Sequence, residues 1–523
     1  MDNLLNTLIG RIEKAAAHVS GFFDRIDRLS TTKLLGIYFL LYAMLIIPAW
    51  LEPKVCSIAK LLHYDRSDYL LKFFYMSALA LLEGIIFAAI LVSLYTLFYY
   101  FYTRRGFSVD YKKIIGIGLL FAFVVIWIDP FMSEDILFYI VRGRVESVYG
   151  ENPYTVSYSR FPNDKFYNIS DYQFHKELTS VYGPLFGHIS QLLTRINKNS
   201  IRINILIFKL FNVFVHLINI WLILQIISLP KAQFPDDAKK LLFYCWHPLI
   251  ILELLLNGHN DILVVSFLLM VVVSIKKAKP NLALIFLSLG VLTKITPLIL
   301  YPHYLIYSLK NLKNDSRGRG GFLRLILALA VSCGLIVAVS FPYFNTLAAF
   351  NGFSLHAQSL NLFQTLIKGL LDLPALLPAS LVPKVAKLIS FIIFLPLYGR
   401  TLCQLWNDPT EKKLFESSAY TLAIFIIMVN PKYSTWYLTW LIPFLIPMAN
   451  NSILRLYIMW TFSSLLFYFP TFVFRKYYYG GDPLNILFNL IVIYGLPLSF
   501  YLYSRRKACK SCNSKQMILT PSV

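Results

Sequence analysis

The sequence predicts an all-α polytopic membrane protein, a bundle of about 11 to 14 transmembrane helices with interfacial helices in its long outer loops. Three observations predict it. Of 523 residues, 57% are hydrophobic and 15% charged, more apolar surface than a soluble core of that size needs. The apolar residues fall in about 14 runs, several of them short, starting near Leu34, Phe73, Ile114, Ile201, Leu241, Ile262, Leu282, Pro297, Phe322, Val385, Leu414, Trp436, Ile453 and Leu484. The basic residues sit mainly in the short loops between those runs, the pattern that fixes topology.

Residues 1–33 precede the first run. They are polar, with Leu4, Leu5, Leu8, Ile9, Ile12 and Val19 at roughly helical spacing, which suits an amphipathic helix lying on the cytoplasmic membrane surface. With the N-terminus in the cytoplasm, the inner loops carry Arg104, Arg105, Lys112 and Lys113, then Lys231, Lys239 and Lys240, then Lys276, Lys277 and Lys279. Lys310, Lys313, Arg317 and Arg319 follow, then Lys412 and Lys413, and a basic tail over 504–523. The membrane domain, 34–503, thus has both ends in the cytoplasm. The net charge of +22 is a topology signal rather than a nucleic-acid footprint, because it is dispersed over loops. The six cysteines are scattered, and the lone C-x-x-C of Cys509 and Cys512 lacks the second pair or histidine of a zinc site.

The remaining polar groups fall on the opposite, outer side: Asp129, Glu134, Asp135, Arg142 and Arg144; Asn257, His259, Asn260 and Asp261; Lys294; His356 and Gln358; Asn430, Lys432 and Tyr433; Arg475, Lys476 and Asp482. Several connections contribute to one face, and the longest of them, 130–199, exceeds what an idle link needs. A second long outer segment runs over 341–384. Transporters gather such groups near the midplane between paired repeats, and no internal repeat is evident here. The clustering favours an active site on the outer side that draws a reactant from the membrane.

Residues 133–148 read as a helix starting at a Ser133 cap with acids in its first turn. Asp135, Tyr139, Arg142 and Glu146 share one face, while Glu134 shares a more apolar one with Phe138 and Val141. Asp135 is therefore the carboxylate with polar company. The bland alternative is that both acids merely favour the helix N-terminus and that Arg142 pairs with Glu146. In E-L-L-L-N-G-H-N-D, Glu253, Asn257 and Asn260 with Asp261 face one side, amides and acids suited to sugar hydroxyls or simply to closing a helix hairpin. Lys294 lies between two short apolar runs, where an idle lysine is unfavourable, so a phosphate or sugar contact is one reading of it. Trp436, Tyr437 and Trp440 read as an interface aromatic belt, which leaves Lys432 unexplained. Arg475 and Lys476 read as snorkelling side chains, and Glu83 as a helix–helix hydrogen-bonding group.

The stretch D-I-L-F-Y-I-V-R-G-R-V-x5-E-N-P-Y from Asp135 resembles the first-loop signature of bacterial polyprenyl-phosphate-dependent mannosyltransferases of the GT-C superfamily. The similarity continues in H-K-E-L-T-S-V-Y-G-P-L-F, W-H-P-L-I-I-L-E-L-L-L-N-G-H-N-D, L-T-K-I-T-P-L-I-L-Y-P and N-P-K-Y-S-T-W-Y-L-T-W-L-I-P, in the family's order. Two positions depart from the pattern: Arg142 stands where the family often has an acid, and Gly183 replaces a proline.

The resemblance implies a GT-C-like bundle that moves a hexose, mannose first among the candidates, from a polyprenyl-phosphate donor to a glycan or glycolipid acceptor. The setting is a bacterial inner membrane with the site facing the periplasm or exterior. Chemically, such a transfer needs a base for the acceptor hydroxyl and cations for the departing phosphate, and one carboxylate suffices for inversion at C1. The family carries its base at the position of Asp135, with Asp129 in reserve. Arg144 and Lys294 would contact the phosphate, Arg by its bidentate geometry and Lys as a point charge. Glu134, Tyr139, Arg142, Asn257, His259, Asn260, Asp261 and Lys432 complete the expected substrate-binding set. No cofactor is required, although a divalent metal could assist. Two other activities compete: a flippase or transporter for lipid-linked glycans, and a polymerase or ligase that uses diphosphate-linked donors.

Overall fold

A computed structural model describes residues 26, 29–51, 69–103, 110–168, 176–227, 235–312, 318–372, 377–448, 451–469 and 483–502. Most of the amphipathic segment read over 1–33, the basic tail, Arg475, Lys476, Asp482 and the C-x-x-C lie outside these. The described residues are mostly helical and contain no strand. This is an all-α membrane protein. Among the described residues, five helices are long and apolar enough to cross a bilayer: Thr31–Leu51, Leu81–Thr103, Ile201–Ile226, Gly320–Ser340 and Val382–Asn407. The bent pair Ile250–Leu256 with Asp261–Lys276 makes a sixth when taken as one span, and shorter apolar helices such as Pro280–Thr293 and Thr435–Met448 stand beside them.

Helices α1 (Thr31–Met44), α2 (Tyr69–Thr103) and α3 (Tyr111–Val125) close on the end of α7 (Pro235–Cys245). Ser30 and Asp110 cap α1 and α3 by accepting backbone N–H bonds from Lys33 and Lys112. Between apolar surfaces in lipid, packing and hydrogen bonds hold helices together. Here Tyr38 donates to the Trp246 carbonyl at 2.8 Å and the Trp246 indole donates to the Ile114 carbonyl at 2.8 Å. Phe101 and Phe121 meet the same indole edge-on.

From α3 the chain turns into α4 (Asp135–Ser147), which packs along α5 (Pro184–Ile196). The turn is fixed by Lys209 of α6 (Ile201–Ile226), a fully buried lysine that donates to the carbonyls of Val125 and Ile128. An ammonium at the C-terminal end of α3 satisfies carbonyls that the helix leaves open.

The Leu241 and Ile262 runs meet at a broken helix. A π-helical segment (Ile250–Leu256) and α8 (Asp261–Lys276) join at a bend of 119°. Gly258 makes the bend, with a φ of +74° that a side chain would strain. Backbone freed from helix geometry in an apolar surround must find partners. Asn212 of α6 supplies them, donating to the Leu254 and His259 carbonyls at 2.8 and 3.1 Å. Next, α9 (Pro280–Thr293) returns along α8 and ends at Lys294. Further on, α10 (Leu362–Asp372) lies in the second long connection, and a 3-10 segment (Thr435–Leu441) packs on α8. The last described helix begins with α11 (Pro483–Leu490).

Candidate active site

Four segments distant in sequence meet at the first turn of α4. The helix begins at Asp135 rather than at a Ser133 cap two residues earlier; Ser133 Oγ instead accepts the Asp135 N–H at 3.3 Å. Glu134 occupies the cap position, and its carbonyl accepts from Leu137 and Phe138. The Asp135 side chain is 26% exposed. Its Oδ2 lies 3.6 Å from Nδ1 of His259 and 3.5 Å from the Tyr182 hydroxyl. Burial by itself would raise the Asp135 carboxyl, but the His259 ring, then Lys432 and Lys294, hold it well below the usual carboxylate range.

One turn on, Tyr139 donates to Asn260 Oδ1 at 3.2 Å and its hydroxyl sits 3.5 Å from His259 Nδ1. Beneath, Glu253 accepts from Thr435, from Tyr468 at 3.0 Å and from Asn257 at 2.9 Å. Alongside, Asp261 accepts from Lys294 at 2.9 and 3.0 Å and from the Trp440 indole at 2.8 Å. The Lys294 ammonium lies 4.7 Å above the Tyr437 ring, a cation–π contact.

Gly183, where the family pattern has proline, explains itself here. Its N–H donates to the Thr293 carbonyl at 3.0 Å, which a proline could not do, and a β-carbon on it would lie 2.2 Å from the Leu292 carbonyl oxygen. The contact pins the Tyr182 strand of chain against the residues that deliver Lys294.

Residues 42–310 match the family model described as alpha-(1->6)-mannopyranosyltransferase, N-terminal domain. The chain belongs to the alpha-(1->6)-mannopyranosyltransferase family. It is a membrane glycosyltransferase. Comparison with curated proteins and with solved structures returned no match.

Of the transferase's expected site residues, Asp135, Tyr139, Asn257, His259, Asn260, Asp261 and Lys294 converge. Asn257, His259, Asn260 and Asp261 are all buried to within 1% and bonded to protein groups, so they lie beneath Asp135 rather than around an opening. Lys432 is exposed and acts on Asp135 electrostatically. Arg142 is buried, its guanidinium 4.3 Å above the Phe138 ring and coupled to Tyr182. Glu146, its candidate partner, accepts from Tyr343 at 2.6 Å. The reserve acid Asp129 is exposed and coupled to Lys209.

Arg144 stands apart from the convergence. It grips Asp164 through two nitrogens at 3.2 and 2.6 Å, donates to the Lys198 carbonyl at 2.9 Å and covers the Phe166 ring. Tyr149 and Tyr158 complete the shell of Asp164. Arg144→Met strands that carboxylate and is expected to destabilise the fold by about 3–5 kcal/mol. Thermal unfolding in detergent measures this, and the surviving folded fraction should keep the wild-type donor KM.

The aromatic-belt reading of the 436–440 stretch is corrected. Trp436, Tyr437 and Trp440 are 7, 6 and 1% exposed, turned inward by the 3-10 segment onto His259, Lys294 and Asp261. Sequence reasoning also passed over Tyr182 and Thr435, although both stand in the matched motifs, and Tyr468, which nothing distinguishes from its aromatic neighbours. Among the described residues no three His, Cys, Asp or Glu side chains form a metal-binding group.

Proposed function

We propose that the enzyme transfers mannose from a polyprenyl-phosphate donor to a mannoside glycan or glycolipid, with inversion at C1 and Asp135 as base. One observation carries the reading. Of the three carboxylates in the cluster, Glu253 and Asp261 are 0% exposed and only Asp135, at 26%, can meet a substrate. Double displacement needs a second carboxylate as nucleophile, whereas a single base serves inversion. The acceptor hydroxyl loses its proton to Asp135 as its oxygen bonds to C1 and the C1–phosphate bond breaks.

A groove of about 910 Å³ supports a lipid-linked donor. Its walls are largely apolar, with Leu362, Leu366 and Leu370 of α10 facing Leu487, Leu490 and Ile493, and Lys368, Asp372 and Lys432 line it too. Such a groove suits an isoprenoid tail, and Lys432 joins it electrostatically to Asp135. Lys432 then takes the phosphate charge with Lys294 beside it, and the reaction needs no metal for that step, though one could assist. The placing of basic residues in alternate loops supports a bacterial inner-membrane setting, both termini in the cytoplasm and the site facing outward.

The test is transfer by the purified protein from a panel of polyprenyl-phosphate sugars to octyl α-mannoside, beside a diphosphate-linked donor. Transfer from the monophosphate mannose donor is expected; activity with the diphosphate donor alone would overturn the reading. In the same assay Lys432→Met is expected to raise the donor KM roughly tenfold with little change in kcat, the loss of one charge-assisted contact to phosphate.

A further inference from the structure

Glu253 has no part in the transfer as written, yet the fold invests heavily in it. It lies fully buried on the π-helical segment with donors from the 3-10 segment, from Tyr468 and from Asn257. A buried carboxylate is tolerated when paired and hydrogen-bonded, and the ring facing it is His259. Nε2 of His259 lies 3.4 Å from Glu253 Oε2, at ion-pair range, while Nδ1 lies 3.6 Å from Asp135 Oδ2. Trp436 stacks on the ring at 3.8 Å between centroids and 21° between planes. The imidazole thus has an acid at ion-pair range of each nitrogen, the Tyr139 hydroxyl 3.5 Å from Nδ1, no hydrogen bond at Nε2 among the described residues and an indole on its face. With 0% exposure it cannot touch a substrate. Tyr139 also touches the ring, while Tyr182, Lys294 and Lys432 act on Asp135 across from it.

We propose that His259, oriented by Glu253 and Trp436, is a positioning residue that holds the Asp135 carboxylate by Oδ2 and so turns Oδ1 toward the acceptor hydroxyl. The inference rests on the reading of Asp135 as the base. Both contacts of the carboxylate, from His259 and Tyr182, fall on Oδ2, which makes Oδ1 the atom that takes the proton. In the transfer the acceptor oxygen bonds to C1, the C1–O bond to phosphate breaks with its electron pair, and the hydroxyl proton passes to Oδ1. The imidazolium keeps its own protons throughout and balances the two acids.

The test uses the full-length protein in lipid nanodiscs with radiolabelled polyprenyl-phosphate mannose and octyl α-mannoside. His259→Gln, which cannot carry charge, is expected to lower kcat roughly a hundredfold with the donor KM nearly unchanged. Glu253→Gln keeps the shape and removes one of the two charges that favour the imidazolium. It is expected to lower kcat less and to move the alkaline limb of the pH–rate profile down by about one unit. Glu253→Asp should return the limb toward its original place. A Glu253→Gln enzyme with wild-type kcat and an unmoved alkaline limb, while Asp135→Asn is inactive, overturns the inference alone. Full activity in Asp135→Asn overturns the base assignment beneath it. Should His259→Gln fail to fold, the limb shift in the two Glu253 variants decides.

Discussion

Asp135→Asn is expected to lower kcat by roughly a hundred- to ten-thousandfold, the usual contribution of a positioned general base. The substitution keeps the shape and an oxygen for the Tyr182 hydroxyl, so the donor KM should hold and the protein should fold. Loss confined to kcat is the signature of a group needed in the transition state. The pH profile adds a second check. The Asp135 carboxyl is held below its ordinary value of 3.8, so the wild-type enzyme should show no acid limb from this group above about pH 4. The same depression is a stability statement. It contributes above the unfolded-state pKa and is lost as pH falls through the lower folded-state value. Transfer that survives the substitution would remove Asp135 from the mechanism.

The second large effect belongs to Lys294→Met. Asp261 is fully buried and Lys294 supplies two of its three hydrogen bonds, the Trp440 indole the third. Removing the ammonium leaves a buried carboxylate without its counter-ion, at about 3–5 kcal/mol of destabilisation. Unfolding in detergent should show it. The double variant Lys294→Met with Asp261→Asn removes both charges and should recover most of that stability. Transfer separates two roles for the lysine. If Lys294 only neutralises Asp261, activity returns with the double variant; if it also faces the donor phosphate, activity stays low in a stably folded protein.

Much of this was legible in the sequence, and the reasons differ by residue. The helical face that separates Asp135 from Glu134 is a local property of one helix, so spacing alone carried it. The convergence of Lys294 with Asp261 was readable only as improbability, since a lysine between apolar runs needs a partner but does not name it. The helical bundle itself was legible from its apolar runs, and among the described residues five helices, six with the bent pair, are long and apolar enough to span. The breaks at 257–260 and at Lys294 fall between runs that the sequence already separates, whereas the 119° angle of the first does not show in composition. The tryptophans of 436–440 were misassigned because an aromatic belt and an aromatic-lined site share one composition, and only the inward turn of the 3-10 segment tells them apart. Arg144 was misleading for a related reason: guanidinium geometry suits phosphate and carboxylate alike, and Asp164 lies twenty residues away with no motif around it.

The family match ends at residue 310, but the groups that close the site do not. Thr435 and Tyr468 hold Glu253, Trp436 covers His259, and Trp440 binds Asp261. The acids therefore come from one half of the chain and their lids from the other. A truncation at the family boundary would strip Glu253 of Thr435 and Tyr468 and Asp261 of Trp440, leaving each acid only its first-half partners. The first half is thus a set of reactive groups without an enclosure, and divergence in the second half can retune the chemistry of the first while leaving every residue of its signature untouched.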